Sequence, residues 1–181
     1  KTSVLKVVSL QDVNSPFLGS VNGDKCRTCD QTVDCGGHHG HIVLPVPVPK
    51  VFFVKYLAST LNLLCTSCWI LRQTGTSCNI CRCLYVKFVI KQPGVLLSLD
   101  KDSAEVRVTY GELYEGLCGL ADKTLAALGA TRYNHPASYF WKNLIVPSLN
   151  TRPVVREYTG KMCMSDLTQQ YCQIVKSVAV L

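Results

Sequence analysis

Cysteine and histidine fall in this chain at the intervals of metal ligands. Two residues separate Cys26 from Cys29 and Cys35 from His38, and the interval recurs in Cys65/Cys68 and Cys78/Cys81. Zinc favours thiolate and imidazole, and a two-residue spacer lets two side chains of one turn reach one ion. The order C-C-C-H-C-C-C-C supplies enough ligands for two closed tetrahedral sites. Gly36-Gly37 lets the backbone wrap tightly between Cys35 and His38. Cys83 could replace Cys81 in the second set, and spacing alone leaves both open. His39 and His41 are spare, as outer partners or packing residues. Cys118 sits on the apolar side of a helical pattern and reads as a buried hydrophobe. Cys163 and Cys172 have no metal-like spacing.

Both ligand sets are complete, whereas catalytic zinc keeps a position open for water. The two zinc ions are therefore expected to be structural. No nucleophile–base pair stands out: His135 is isolated, and no Gly-rich phosphate loop leads to Lys-Ser/Thr. No catalytic residue is assigned.

The chain has 11 cysteines, an odd number, and Lys1–Lys6 lacks the apolar core of a signal peptide. Metal is favoured over a disulfide scaffold, which implies a reducing compartment such as nucleus or cytoplasm. No apolar run reaches the roughly 18 residues of a membrane span, so no membrane partner is expected. The start also lacks an initiator Met, as an excised piece would.

The formal net charge is +7. Seven ligating thiolates and two zinc ions would bring it to about +4. Its distribution matters more: no acidic residue occurs between Asp34 and Asp100, where Lys50, Lys55, Arg72, Arg82, Lys87 and Lys91 all fall. Such a stretch suits a nucleic-acid surface or an ordinary solvated basic face. Lys50, Lys55, Arg72, Lys87 and Lys91 are the candidate phosphate contacts.

Three segments are expected. Residues 1–25 read as an extended entry with turns at Asn14-Ser15-Pro16 and Asn22-Gly23. Residues 26–92 form a double zinc-knuckle region whose folding is coupled to metal. Within it Leu44–Pro49 is held extended by alternating prolines. A helix from Val51 carries Phe53, Leu57, Leu61 and Leu64 inward to Cys65. A strand over Leu84–Lys91 puts Leu84, Val86, Phe88 and Ile90 on one face and ends at Gln92-Pro93-Gly94.

Residues 93–181 continue with a strand near Ala104–Val108 and a helix opened by a Thr109/Glu112 capping box. That helix carries Leu113, Leu117, Leu120, Leu125 and Leu128, and Gly129 closes it. An irregular stretch broken by Pro136, Pro147 and Pro153 follows. A last helix starts at Ser165 with Leu167, Tyr171, Ile174, Val175 and Val178 inward. The fold class is α+β, an irregular zinc-stapled module of helices and short antiparallel strands.

Three functional classes fit a double zinc module. The ligand order is that of a RING adaptor of ubiquitin transfer, but a cross-brace needs a short gap after the histidine. Here 26 residues separate His38 from Cys65, which favours two sequential knuckles. A free-standing zinc-dependent nucleic-acid binder is the second class, and a structural module of a larger nucleic-acid machine is the third.

Residues Cys35-Gly36-Gly37-His38-His39-Gly40-His41-Ile42, preceded by Leu18-Gly19-Ser20 and Cys26-x-x-Cys29, bear on that third class. They resemble the N-terminal clamp region of the largest subunit of multisubunit DNA-directed RNA polymerases, eukaryotic and archaeal in style. Gly36 stands where that family usually has Pro, and the insertion before the last Cys pair is short. Val43–Val48 with Phe52-Phe53, then Leu64–Cys68, resembles the polymerase I version most, with polymerases II and III and a viral enzyme as alternatives. Leu144–Pro147 through Arg152-Pro153, and Ser165–Val178, resemble later clamp segments more loosely.

The resemblance implies one clamp zinc on Cys26, Cys29, Cys35 and His38, and another on Cys65, Cys68, Cys78 and Cys81. It implies a clamp that holds template DNA and the RNA–DNA hybrid, with the second-largest and other polymerase subunits as partners. Residence in the nucleus is implied, or the nucleolus for polymerase I, with a viral or cytoplasmic enzyme as alternatives. Nucleotidyl transfer in that family needs an Asp-rich loop holding Mg²⁺, and none occurs here. The chain alone is expected to be inactive, a fragment or one piece of a split subunit.

Overall fold

The computed structural model describes residues 4–20, 23–91, 95–99, 108–131, 133–156 and 158–180. In chain order the elements are β1 (Leu5–Lys6), α1 (Leu10–Val13), β2 (Gly40–Pro49), α2 (Val54–Asn62), β3 (Lys87–Lys91) and β4 (Val95–Leu99). They continue as α3 (Tyr110–Cys118), α4 (Asp122–Ala127), β5 (Phe140–Val146), β6 (Val155–Arg156), β7 (Met162–Cys163) and α5 (Asp166–Val180). The class is α+β, with small separate sheets in the orders β1-β2-β5, β3-β4 and β6-β7. The pairs β3-β4 and β6-β7 are antiparallel, whereas β1 runs parallel to β2. The chain divides into two compact units, one of residues 1–45 with 142–181 and one of residues 46–141.

In the first unit Val7, Val13, Leu18, Ile42, Val146 and Val175 form the core. The sequence pattern does not register α1, which is opened by a capping box in which Ser9 and Asp12 serve one another. Buried Arg152 donates from Nη2 to the Val13 carbonyl at 2.8 Å, from Nη1 to Thr168 Oγ1 at 3.2 Å and from Nε to the Pro147 carbonyl at 3.0 Å. It thereby satisfies acceptors from three segments packed on that core. Ser165 starts α5 as expected, its Oγ accepting from the Thr168 N–H at 3.3 Å. Val175 points inward, but Leu167 is exposed because the inward stripe begins a position later, at Thr168.

Strand β2 holds Pro45, Pro47 and Pro49 without losing a needed donor. The His41 carbonyl accepts from the Val7 N–H at 2.8 Å, so odd-numbered positions of β2 face β1. The three prolines share that side, none is asked to donate to β5, and they blunt the edge beyond the short β1.

The second unit is built on Val54, Leu57, Leu61, Leu64, Phe88, Leu113, Leu117 and Phe140. Asn62 fastens α2 to β3, its Nδ2 donating to the Phe88 carbonyl and its Oδ1 accepting the Phe88 N–H, both at 2.8 Å. Residues 51–53 form a 3₁₀ turn before α2, and its tighter pitch rotates Phe53 outward, contrary to the expected inward face. In the strand expected over 84–91 regular pairing starts at Lys87; Phe88 is buried, and Leu84 and Ile90 are exposed. The Thr109/Glu112 capping box forms, but the single helix expected after it is two. Gly119–Ala121 interrupts it, and Ala121 caps α4 in an extended conformation. Gly129 follows at φ +66°, the left-handed closure expected. Asn22, Gln92-Pro93-Gly94 and all but Val108 of the strand expected over Ala104–Val108 lie outside the described residues. No described helix is long and apolar enough to cross a membrane.

Candidate metal centres

The three CxxC pairs share one backbone device. The first Cys N–H donates to the carbonyl five residues on: Cys26 to Gln31 at 2.8 Å, Cys65 to Ile70 at 2.8 Å, Cys78 to Cys83 at 2.9 Å. Its carbonyl accepts from the N–H four residues on: Asp30 at 2.8 Å, Trp69 at 2.7 Å, Arg82 at 2.8 Å. Closing so tight a loop requires a left-handed residue at that fourth position. Asp30, Trp69 and Arg82 stand at φ +58°, +59° and +60°, the only non-glycine positive φ values among the described residues. An arrangement that costs a side chain steric energy three times over is sustained where the surroundings fix it. Antiparallel bridges Leu64↔Leu71 and Ser77↔Leu84 clamp the second and third loops.

Cys35 and His38 are turned toward one another differently. Gly37 has φ +83°, its N–H lies 3.4 Å from Cys35 Sγ, and a Cβ there would meet Ser148 Cβ and Oγ at 2.5 Å. Gly36 faces open space, so of the expected glycine pair only Gly37 is required. Asn150 Nδ2 donates to the Cys35 carbonyl at 2.7 Å, and the His38 N–H donates to the Leu18 carbonyl at 3.0 Å. Asn150 carries no signal in the sequence, where it sits among prolines far from the ligands.

The ligand atoms of Cys26, Cys29, Cys35 and His38 all lie within 4.8 Å of one another, as do those of Cys65, Cys68, Cys78 and Cys81. Sulfur pairs Cys29–Cys35, Cys65–Cys81 and Cys68–Cys78 are 3.6, 3.5 and 3.6 Å apart. A disulfide would need about 2.05 Å, whereas ligands about 2.3 Å from a central zinc stand about 3.8 Å apart on a tetrahedron. His38 Nε2 is buried with no hydrogen-bond partner. An orphaned buried nitrogen beside three thiols is what a ligand looks like without its ion. Each quartet could hold zinc, and each leaves no protein position open for substrate.

Of the two thiols competing for the last place, Cys81 joins the quartet. Cys83 is exposed, its sulfur 3.4 Å from Ser67 Oγ. The N–H of Cys83 pulls the Cys81 thiol down to about 6, whereas burial pushes Cys68 up to about 12. Zinc would take all four sulfurs as thiolates, so its binding would release to solvent any proton that burial holds on Cys68. The quartets close first pair with second and third with fourth, the sequential arrangement rather than a cross-brace. Cys118 is exposed at the end of α3 rather than buried, because within the helix it stands about 100° round from Leu117, off the stripe that Leu113 and Leu117 bury.

The basic residues diverge. Lys55 and Lys87 are exposed, and Lys50 is half-buried with its Nζ 4.5 Å from the Trp141 ring centroid. Arg72 leaves the phosphate-facing set. Its Nε donates to the Leu64 carbonyl at 2.8 Å and its Nη2 to the Leu61 carbonyl, filling acceptors left at the end of α2, and Nη2 also donates to the Val86 carbonyl just before β3. Lys91 ends β3, and its side chain lies outside the described ones.

No protein-family model matches the chain. The chain is 25% identical over 193 residues to DNA-directed RNA polymerase subunit Rpo1N of Thermoplasma acidophilum, covering 85% of this chain and 22% of that subunit. It is 40% identical over 57 residues to RNA polymerase I subunit RPA1 of Drosophila melanogaster, 32% of this chain and 4% of the relative. A probable RNA polymerase II subunit RPB1 homologue of invertebrate iridescent virus 6 shares 37% over 60 residues, 33% of this chain and 6% of the relative. The chain thus spans less than a quarter of the relatives it matches. Similarity to the archaeal subunit runs along most of the chain, and the shorter matches are likewise to largest subunits of multisubunit DNA-directed RNA polymerases.

Proposed function

We propose that this chain is the clamp portion of the largest subunit of a DNA-dependent RNA polymerase, holding template DNA and the RNA–DNA hybrid during transcription. The observation that carries the reading is the similarity to the archaeal largest-subunit protein over 85% of the chain. The two closed quartets support it. Cys26, Cys29, Cys35 and His38 hold one zinc ion, and Cys65, Cys68, Cys78 and Cys81 the other. Zinc here supplies folding energy and no chemistry, since both coordination shells are filled by protein.

The chain contributes no catalytic residue. Nucleotidyl transfer belongs to the complete enzyme, where Mg²⁺ is held by an Asp-rich loop that this sequence lacks. The second-largest subunit and other polymerase subunits are its partners. Its place is the nucleus in a eukaryotic cell, the nucleolus for a polymerase I-type enzyme, or the site of transcription of a virus. The wording of Val43–Phe53 supports the polymerase I type.

Lys50, Lys55, Lys87 and Lys91 meet phosphates in a manner independent of sequence. Binding of the zinc-loaded chain to an RNA–DNA hybrid, followed by anisotropy over a salt series, tests this. Affinity should fall steeply with salt, and Lys55→Ala with Lys87→Ala should reduce the logarithmic slope by about 1 for each lysine removed. Salt-independent binding, or an unchanged slope in the double variant, would refute the assignment.

A further inference from the structure

At the start of α2 the second unit exposes aromatic rings that a folded domain ordinarily hides. Phe52 is 92% exposed and Tyr56 is 63% exposed. Phe53 lies parallel to Tyr139, with 5.6 Å between ring centroids and 8° between planes, and is tilted to Tyr56 at 6.3 Å. Lys50 Nζ stands 4.5 Å from the Trp141 centroid and 5.9 Å from that of Phe53. Trp141 and Phe53 therefore already carry a cation or a ring on one face, while Phe52 and Tyr56 beside them are open. Lys55 is exposed between the two.

The stretch of chain that carries these rings contains no carboxylate from residue 35 to 99, and Lys50 and Lys55 are its charges next to Phe52 and Tyr56. Exposed aromatic rings clustered on a surface mark a binding site, and the ammonium groups of Lys50 and Lys55 beside them favour an anionic occupant. Projecting rings among ammonium groups match unpaired nucleotides: phosphates meet the lysines, and bases stack on the π faces. Bases in a double helix are already stacked on one another and cannot use such rings.

We propose that Phe52 and Tyr56, with Lys50 and Lys55, form a stacking platform for unpaired nucleotides of a single strand. This rests on the nucleic-acid reading above and narrows it from double helix or hybrid to single strand at this place.

The zinc-loaded full chain would be titrated with a labelled oligothymidylate of about 12 nucleotides. An abasic phosphodiester of equal length serves as comparison. The wild type should prefer the base-bearing strand by about tenfold or more. Phe52→Ala with Tyr56→Ala should abolish that preference and leave weak binding to the abasic strand, while Phe52→Trp retains it. Lys55→Ala should weaken both strands alike. Equal affinity of the wild type for the two strands, or a preference that survives in the double alanine variant, overturns the platform. If salt-sensitive hybrid binding persists in that case, the phosphate-contact reading stands alone. Displacement of the oligothymidylate by an oligoglutamate peptide of higher affinity would assign the patch to an acidic protein partner instead.

Discussion

The indole of Trp69 lies directly over the Cα of Gly116, where a Cβ would stand 1.8 Å from ring atoms Cε2 and Cζ2. Trp69 is also the left-handed residue that closes the Cys65/Cys68 loop, at φ +59°. A bulky side chain in that conformation is a true outlier. Its ring, packed against the core of the second unit and against α3, fixes the loop that carries the candidate ligands Cys65 and Cys68.

Gly116→Ala should therefore destabilise the chain, although alanine ordinarily strengthens a helix interior by roughly 0.5–1 kcal/mol. The ring is rigid and its neighbours are core residues, so the clash should cost about 1–3 kcal/mol. Urea unfolding of the zinc-loaded protein reads this directly. A variant as stable as the parent would show that the ring moves aside freely.

Cys81 and Cys83 offer a sharper contrast. Cys81 lies in the second quartet, whereas Cys83 is exposed at its rim. Cys81→Ser should lose one zinc ion and unfold more readily, and Cys83→Ser should keep both ions. Native mass spectrometry of the two proteins decides it, and the reverse pattern would reassign the ligand.

The capping box of α3 sets a pH dependence. The N–H and hydroxyl of Thr109 hold the Glu112 carboxyl below the ordinary glutamate value of 4.5. A carboxylate depressed in the folded state adds stability above its unfolded value, and that stability is lost as pH falls through the lower folded value. Acid also protonates the candidate zinc ligands, so the informative quantity is the difference between parent and Glu112→Gln. That gap in urea midpoint should be present at neutral pH and shrink as pH falls below the unfolded value of 4.5. A gap constant across the range would remove the capping role.

Features encoded over a few residues are legible in the sequence. The metal quartets follow from two-residue spacers, and the starts of α3 and α5 from Thr109 and Ser165, because ligand reach and capping are local. What depends on distant neighbours is not. Strand β5 runs between Pro136 and Pro147, and those prolines read as an irregular stretch although they only flank it. Strand β4, the partner of β3, has no signal of its own because a pairing lies between segments rather than within either. Charge marks Arg72 as a phosphate contact, yet only the fold shows its donors meeting carbonyls at the end of α2. The spacing of Phe53 suits a helix, but the 3₁₀ turn before α2 shifts its phase.

The central claim is that two structural zinc ions hold this double-knuckle chain together. Zinc content measured on the purified chain, with circular dichroism before and after chelation, addresses it directly. Two tightly held ions, and loss of folded signal when they are stripped, are the predicted result. A folded chain that contains no zinc would contradict it.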